Sequence, residues 1–501
     1  MPRNVCSAIL AVMALLIMFD TSPAKESAYQ PNWDSLAAHD EAPDWFADAK
    51  LGIYFHWGIY SVPAFATEWY PHRMHFAGNK IRKHHEATYG PLTEFGYHDF
   101  VPMFKAEHFD PADWAELFQQ AGARFAGPVA QHHDGFAMWA STVNKWNVKD
   151  RGPQRDITGE LAQELRKRDM KLITTFHHAR NLQRYANDPV GREKSQDSHF
   201  PYRPGLATAS TDPELAQLYG NIPADEFHEY WLNQLKEVID QYSPEIVWFD
   251  SWLDRIPEAY RQEFSAYYFN EAKQKNQEVV IAYKQQDLPT SVGVLDIEQG
   301  GKTDVSEDVW LTDITLSHRS WCFIDGQTYK DVNLLVRNMI DVWSKNGIVL
   351  LNISPRADGT IPQQQRDVLQ QLGEWLGEYG EAVYGTRPFD IYGTGTAQIK
   401  KGHFGGQAAT IQYSADDVRF TVSKNDKTMY LFFLGKPQAG EQVTIQQLGT
   451  NHHPPHGPIK RITLLSTEAD AEWDLSADKL TLTIPDAPLN EIANVFRLDL
   501  E

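Results

Sequence analysis

Short, nearly continuous apolar stretches recur along the first three quarters of the chain. We predict that eight of them are β-strands, because strands of a parallel sheet are buried on both faces and carry few polar positions. They are residues 50–58, 124–133, 170–178, 245–250, 278–283, 292–298, 308–316 and 347–354. Amphipathic stretches at helical spacing lie between most of them, although not around 284–291 and 299–307. Strands that alternate with helices predict an α/β fold, an irregular (β/α)8 TIM-like barrel over residues 26–387.

The pattern changes after about residue 387. Residues 407–438 and 478–500 alternate between apolar and polar positions, with turn residues between the alternating stretches. Such alternation is typical of strands with one buried face. We therefore predict a C-terminal antiparallel β-sandwich over residues 388–501, with residues 384–388 as the hinge.

Residues 1–25 have the pattern of an export signal. A basic residue precedes an apolar run at 9–19, which is short for a membrane span, and small residues suitable for cleavage follow. Cleavage would remove Cys6 and leave Cys322, so no intramolecular disulfide is expected. Cys322 lacks an activating histidine motif and is expected to be a packing residue. We expect an exported bacterial protein, either periplasmic or secreted.

Charge limits the classes of partner. The formal net charge of −21 argues against nucleic acid and against an anionic membrane surface. No segment after the N-terminus is long and apolar enough for a membrane anchor. No partner protein is indicated, and the oligomeric state is left open.

Ionisable and aromatic residues stand at the carboxyl ends of five predicted strands, where the working residues of a barrel enzyme lie. They are His56, Trp57, His132, His133, His177, His178, Asp250 and Glu298. Buried ionisable side chains cost free energy unless they are paired. The series therefore predicts a single polar site at one end of the barrel.

Two kinds of site fit these residues. Histidines and carboxylates can bind a metal ion, but adjacent histidines on a strand point to opposite faces, and neither HxH nor HExxH occurs. In a sugar site, aromatic rings cover the apolar face of the sugar, histidines bind hydroxyls and two carboxylates cleave the glycosidic bond. We expect the sugar site, with Asp250 as nucleophile, Glu298 as acid/base, and neither a metal nor another cofactor.

Four segments resemble the family 29 glycoside hydrolases, the α-L-fucosidases. They are WFADAKLGIYFHWGIYSVPAFATEWY (45–70), FDPADWAELFQQAGARFAGPVAQHHDGFAMWAST (109–142), IVWFDSW (246–252) and NGIVLLNISPRADGTIP (346–362). The resemblance runs from about residue 32 to 390 and continues more loosely over the C-terminal domain. It implies a retaining exo-α-L-fucosidase that hydrolyses terminal α-L-fucosyl linkages of oligosaccharides or glycans by double displacement, without a cofactor.

The resemblance also implies roles for individual residues. It makes Asp250 the nucleophile, and it places His178 where many members have a tyrosine after the third strand. Trp321 is expected on the aglycone side. The residues expected to bind substrate are His56, Trp57, Glu68, Trp69, His132, His133, His178, Trp248 and Trp321.

The acid/base is the position at which members of the family vary most. The segment LDIEQGG resembles the version that places the acid at Glu298, and Glu68 and Glu307 are the alternatives. Other members have a glutamate directly after a tryptophan in a later motif, where this chain has Leu311. An arginine common after the fifth strand is also missing, and Lys284, which stands near that place, lacks the bidentate geometry of arginine.

Two other functions remain open from the sequence. One is an α-L-galactosidase or another related α-L-glycosidase on the same fold, since a hydrophobic pocket rejects an added hydroxyl only weakly. The other is a non-catalytic fucose-binding protein. Residues 197–226 form a long loop after the third strand, and we predict that this loop is a lid facing the substrate.

Overall fold

The computed structural model describes residues 28–183, 198–397 and 411–501. The expected export signal, residues 1–25, lies outside these ranges. Eight parallel strands close into a barrel in chain order, and the last strand pairs with the first. The strands are β1 Leu51–Phe55, β2 Phe125–Gln131, β3 Lys171–Phe176, β4 Ile246–Phe249, β5 Val280–Lys284, β6 Val294–Asp296, β7 Trp310–Thr315 and β8 Gly347–Ile353. Each overlaps a predicted segment, so the predicted barrel is confirmed.

Helices connect most of the strands. They are α1 Trp33–Leu36, α2 Asp44–Ala49, α3 Tyr70–Arg73, α4 Lys80–Thr88, α5 Pro111–Gln120, α6 Ile157–Arg166, α7 Pro213–Leu218, α8 Ala224–Tyr242, α9 Glu258–Gln274, α10 Val332–Trp343 and α11 Gln363–Tyr379. The sequence places their starts: Asp110 accepts hydrogen bonds from the first backbone N–H groups of α5, and Pro111 occupies its first position. Among the described helices, none has both the length and the hydrophobicity to cross a lipid bilayer.

The barrel is irregular where the pattern predicted it to be. Residues 285–293 and 297–309, all of which the structure describes, form loops instead of helices. Between these loops β6 has only three residues, and it pairs with β7 at Asp296 and Leu311. Without flanking helices, the carboxyl ends of β5 and β6 are covered by loops alone.

Large side chains fill the barrel interior. Tyr54, Phe125, Ile173 and Trp248 are buried together inside the barrel. Gly127 in β2 lets two strands approach closely, because a Cβ there would lie 1.7 Å from the backbone oxygen of Ile173. The part of the barrel nearest the amino ends of the strands is therefore a packed core. Only the end where the strands finish has room for a ligand.

The C-terminal residues form two antiparallel sheets. The strands are β9 Thr386–Thr394, β10 Val418–Ser423, β11 Thr428–Phe433, β12 Gln442–Ile445, β13 Ile459–Leu464, β14 Ala469–Asp470, β15 Trp473–Leu475, β16 Leu480–Thr483 and β17 Asn494–Leu500. One sheet has the order β14-β13-β17-β11-β10-β9 and the other β12-β16-β15, with an apolar core that includes residues of both. The antiparallel C-terminal sheets are therefore confirmed. β9 begins at Thr386, inside the predicted hinge, so sheet structure starts two residues before the predicted boundary.

A buried ion pair joins the sandwich to the barrel helices. Arg419 in β10 donates from Nε to Asp341 Oδ1 in α10 at 2.6 Å, and Lys345 Nζ lies 2.7 Å from Asp341 Oδ2. All three side chains are at most 3% exposed. Near the start of β1, Arg387 and Lys424 of the sandwich also contact acidic residues of α2. The sandwich is thus attached at the end of the barrel where the strands begin.

Candidate active site

A cavity of about 210 Å³ opens at the carboxyl ends of the barrel strands. Nine of the residues predicted from the sequence line it, namely His56, Glu68, Trp69, His132, His133, His177, Asp250, Glu298 and Trp321. Six others line it too, namely Arg180, Ser251, Trp252, Lys284, Gln285 and Asp313. The cavity therefore collects nearly all the polar strand ends into one place.

Asp250 directly follows β4 and has charged or polar neighbours on both carboxylate oxygens. Oδ1 lies 3.1 Å from Lys284 Nζ, and Oδ2 lies 3.2 Å from both His133 Nε2 and His177 Nδ1. Burial alone would raise the pKa of Asp250, but Lys284 and His177 outweigh burial and hold that pKa well below its usual range. Asp250 is therefore ionised and held in position.

Glu298 lies two residues after β6 and faces the same lysine. Its Oε2 is 2.7 Å from Lys284 Nζ. Burial raises the pKa of Glu298, Lys284 lowers it, and the nearby carboxylates Asp313 and Asp250 raise it again, to about 7. Two carboxyl groups in one cavity thus have pKa values far apart, which is how an enzyme separates a nucleophile from an acid.

Lys284, the last residue of β5, links these two groups to a third carboxylate. Its Nζ lies 3.3 Å from Asp313 Oδ2, which also accepts a hydrogen bond from the Tyr54 hydroxyl at 2.9 Å. Burial would lower the pKa of Lys284, but Asp313, Glu298 and Asp250 raise it well above its usual range. The ammonium group is therefore permanently charged and balances the acidic side of the cavity.

The histidines lie on the opposite side of Asp250. His56 Nδ1 is 2.7 Å from Asn352 Oδ1, and His133 Nδ1 is 2.6 Å from the backbone oxygen of His177. Burial lowers the pKa of His56 and His132 well below the usual range, and lowers that of His133 to about 4 in spite of the contact with Asp250. His56 and His132 are therefore neutral rings that can accept or donate hydrogen bonds.

Aromatic side chains and Glu68 form the rim. Glu68 Oε2 accepts hydrogen bonds from the backbone N–H of Trp321 at 3.2 Å and from the Ser320 hydroxyl at 3.1 Å. The guanidinium of Arg180 lies between two indole rings, 4.4 Å from that of Trp69 and 4.7 Å from that of Trp252. Cation–π stacking of this kind holds the rings in fixed orientations.

Comparison with known proteins agrees with this geometry. The sequence profile of the family described as Alpha-L-fucosidase matches residues 16–381. The chain belongs to the α-L-fucosidase family. The resemblance seen in the sequence is thereby confirmed, and the protein is an enzyme of the glycoside hydrolase class.

Relatives of this α-L-fucosidase family member align over nearly their full length. Tissue alpha-L-fucosidase of Homo sapiens is 28% identical over 510 residues, covering 97% of this chain and 95% of the human protein. Alpha-L-fucosidase of Branchiostoma floridae is 29% identical over 508 residues, covering 95% and 96%. The crystal structure of Thermotoga maritima alpha-fucosidase in complex with fucose is 27% identical, with a TM-score of 0.72, covering 94% of this chain and 100% of that one.

Three residues predicted to bind substrate lie elsewhere. Trp57 is fully buried among the aromatic residues of the helix layer, and its Nε1 donates to a backbone oxygen. His178 is buried and stacks on Trp231 of α8. Neither Trp57 nor His178 lines the cavity, although both were predicted to contact the substrate. Trp248 lies beneath the site, where its Nε1 donates to Asp296 at 2.7 Å.

The structure also shows where Glu307 and Glu68, the alternative candidates for the acid/base, are located. Glu307 is exposed and does not line the cavity, and its backbone oxygen accepts a hydrogen bond from Asn346 Nδ2. Glu68 lines the cavity but is engaged with the backbone of Trp321 on the rim. Glu298 and Asp250 both contact Lys284 Nζ, which makes Glu298 the preferred candidate for the acid/base.

Of the adjacent pair His177 and His178, both predicted at the carboxyl end of the third strand, only His177 lines the cavity. Asp313 lies inside the apolar run of β7 and was not recognised as a site residue. The predicted lid, residues 197–226, is described from residue 198 and contains α7; its His199 ring packs against Trp69 and His133.

Proposed function

We propose that the protein is a retaining exo-α-L-fucosidase that hydrolyses terminal α-L-fucosyl linkages of oligosaccharides or glycans. The observation that carries this proposal is the shared contact of Asp250 and Glu298 with Lys284 Nζ, at 3.1 and 2.7 Å. The distance between the nearest carboxylate oxygens of Asp250 and Glu298 is therefore at most the sum of these two distances. Retaining glycosidases hold their carboxyl groups about 5–5.5 Å apart, whereas inverting enzymes need about 6.5–9.5 Å.

The two pKa values suit the two steps. In the first step ionised Asp250 attacks C1 of the sugar while protonated Glu298 gives its proton to the leaving oxygen, so that the C1–O bond breaks and a glycosyl ester forms. In the second step ionised Glu298 takes a proton from water, water oxygen bonds to C1, and Asp250 leaves as a carboxylate. With a pKa of about 7, Glu298 can take either form near neutral pH.

The shape of the cavity supports release of a terminal sugar. The packed barrel core closes its lower end, and its volume of about 210 Å³ has room for a single sugar ring. Neutral histidines can bind the hydroxyl groups, and the indole rings of Trp69 and Trp321 can cover apolar faces of the ring. A binding protein would not need two carboxyl groups with such different pKa values, so the catalytic hypothesis is preferred over the non-catalytic one.

Rescue by azide tests both assignments. An Asp250→Gly variant should hydrolyse 4-nitrophenyl α-L-fucoside at a rate lower by a factor on the order of 10⁴. Azide should occupy the vacated space and attack C1 directly, giving the β-fucosyl azide with inverted configuration. In Glu298→Ala, azide should instead intercept the glycosyl enzyme and give the α-fucosyl azide. The anomer is assigned by NMR.

Asp254→Gly is the matched control, because Asp254 is exposed on the same loop and forms an ion pair with Arg255. It should keep wild-type activity without azide. An α-azide from Asp250→Gly, or activity in that variant without azide, would show that Asp250 is not the nucleophile. No turnover of the fucoside by the wild-type enzyme, together with turnover of the α-L-galactoside, would change the substrate assignment.

We also propose that the protein is exported, on the basis of residues 1–25. Expression of the full chain in a Gram-negative host should place activity in the periplasmic or extracellular fraction. N-terminal sequencing of that material should begin near residue 26. Activity confined to the cytoplasm, with the N-terminus intact, would contradict export.

A further inference from the structure

Three histidine rings from three different strands meet at the floor of the cavity. His56 follows β1, His132 follows β2 and His177 follows β3. Their ring centroids are 5.5 Å apart for His56 and His132, 5.3 Å for His56 and His177, and 4.7 Å for His132 and His177. Each ring offers a nitrogen within 4.8 Å of nitrogens on the other two.

The outer nitrogens of two rings are already engaged. His56 Nδ1 faces Asn352 Oδ1 at 2.7 Å, and His177 Nδ1 faces Asp250 Oδ2 at 3.2 Å. An acceptor oxygen places the proton of each ring on Nδ1, which leaves the lone pair on Nε2. The buried Nε2 of His177 and the buried Nδ1 of His132 have no hydrogen-bond partner in the described residues. An oxygen thus lies behind two of the three rings, and such an oxygen orients a histidine toward a metal.

We propose that His56, His132 and His177 bind a borderline or soft divalent cation, such as Zn²⁺, in the space that the sugar would occupy. Three imidazole nitrogens and an open fourth position are a donor set that Zn²⁺ accepts. The candidate ligand nitrogens lie within 4.8 Å of one another, and the proposal requires the rings to rotate so that these nitrogens come closer together around the ion. The cation is an inhibitor in this proposal and takes no part in the reaction.

The charges around the triad favour a cation. Asp250, Glu298 and Asp313 surround the single ammonium group of Lys284, so the wall next to the triad is net negative when these acids are ionised. The charge of Lys284 is directed at these carboxylates. Hard cations such as Mg²⁺ prefer oxygen ligands and should not bind to a site of three ring nitrogens.

Direct binding is measured on tag-free full-length enzyme. Zn²⁺ titrated calorimetrically should bind with one ion per chain, and Co²⁺ should give the intense visible absorption of a site with few ligands. A His132→Ala variant should bind Zn²⁺ at least tenfold more weakly. The control is the combined His452→Ala, His453→Ala and His456→Ala variant, which removes the histidines of a sandwich loop that could also bind metal. This control should bind Zn²⁺ as the wild type does.

Competition links the ion to the sugar site. Zn²⁺ should raise KM for 4-nitrophenyl α-L-fucoside without changing kcat, EDTA should restore KM, and Mg²⁺ should have no effect. Only this arm rests on the proposed function, since the binding measurements need no turnover. The proposal is overturned by any of three results: no Zn²⁺ binding to the wild type, loss of binding in the loop variant, or inhibition that lowers kcat alone.

Discussion

The Asp313→Asn substitution tests how the cavity sets the pKa of its acid. Asp313 does not bind the reacting atoms in the proposed mechanism, yet its carboxylate and that of Glu298 face the same Lys284 Nζ, at 3.3 and 2.7 Å. Asparagine keeps the shape of the side chain and removes its charge. The neighbouring negative charge is one cause of the raised pKa of Glu298. Its removal should therefore lower that pKa.

The size of the change follows from the distances. Two oxygens that contact one Nζ at 3.3 and 2.7 Å are at most about 6 Å apart, and at an effective dielectric constant of about 20 two unit charges at that distance repel by about 3 kcal/mol. That energy corresponds to about 2 pKa units. The Tyr54 hydroxyl and Lys284 reduce the effective charge on Asp313. We expect a decrease of about 1 unit from the value of about 7.

The sign of the effect on activity is fixed by the role of the acid. Glu298 donates a proton in the first step, so activity needs the protonated form, which exists below its pKa. A lower pKa means that this form is lost at lower pH, and the alkaline limb of kcat/KM should move down by about one pH unit. The substrate should be a fucosyl disaccharide, because a sugar leaving group depends on the proton.

Asp287→Asn is the matched control for this measurement. Burial also raises the pKa of Asp287 to about 7, but its carboxylate accepts a hydrogen bond from the backbone of Leu253 and does not line the cavity. This variant should leave the alkaline limb unchanged. An alkaline limb that stays in place or moves upward in Asp313→Asn, or one that moves in Asp287→Asn, would refute the assignment of the limb to Glu298.

Three further substitutions test the fold around the site. Trp57→Phe should leave KM for the fucoside unchanged and should lower the free energy of unfolding by about 2–4 kcal/mol in urea titration, because a buried hydrogen bond is lost and the smaller ring leaves a cavity among the surrounding aromatic side chains; an increase in KM would contradict this placement. Arg419→Met should cost about 3–5 kcal/mol, seen as a lower Tm, because Asp341 stays buried with only one cation; an unchanged Tm would argue against the buried pair. Gly127→Ala should yield little folded protein, measured by soluble expression and circular dichroism, because the new Cβ would overlap the oxygen of Ile173.

The site residues that could be predicted well from the sequence are charged residues that follow an apolar strand directly or within two positions. Asp250 and Glu298 follow apolar runs of β4 and β6, and the carboxyl ends of parallel strands converge on one face of a barrel. Convergence needs no knowledge of the packing of individual side chains. The barrel itself was predictable for the same reason, since each strand is buried on both faces.

It was harder to predict which of two neighbouring side chains at the end of a strand faces the cavity. His56 enters the cavity and Trp57, one residue later, enters the helix layer, while in the next pair both His132 and His133 line the cavity. Simple alternation fails here because the chain leaves the regular strand at these positions. Which of two neighbours faces inward depends on the turn that follows, and that turn is set by contacts with distant segments.

The roles of residues whose partners are far away in the chain could not be predicted from the sequence either. Asp313 looks like an isolated acid in an apolar strand until Tyr54, which is 259 positions away in the chain, is seen to donate to it. Lys284 looked like a poor replacement for an arginine. In the structure its single ammonium group contacts three carboxylates on three different segments, Asp250, Glu298 and Asp313.

The attachment of the sandwich has a practical consequence. Arg419 binds Asp341 near the end of α10, and Arg387 binds the acidic residues of α2 just before β1 begins. Both contacts are at the end of the barrel opposite the cavity, and Glu501 of the sandwich is exposed. An enzyme tethered to a bead or a surface through its C-terminus would therefore turn its cavity toward the solution. Immobilised protein should process large glycoproteins as readily as free enzyme.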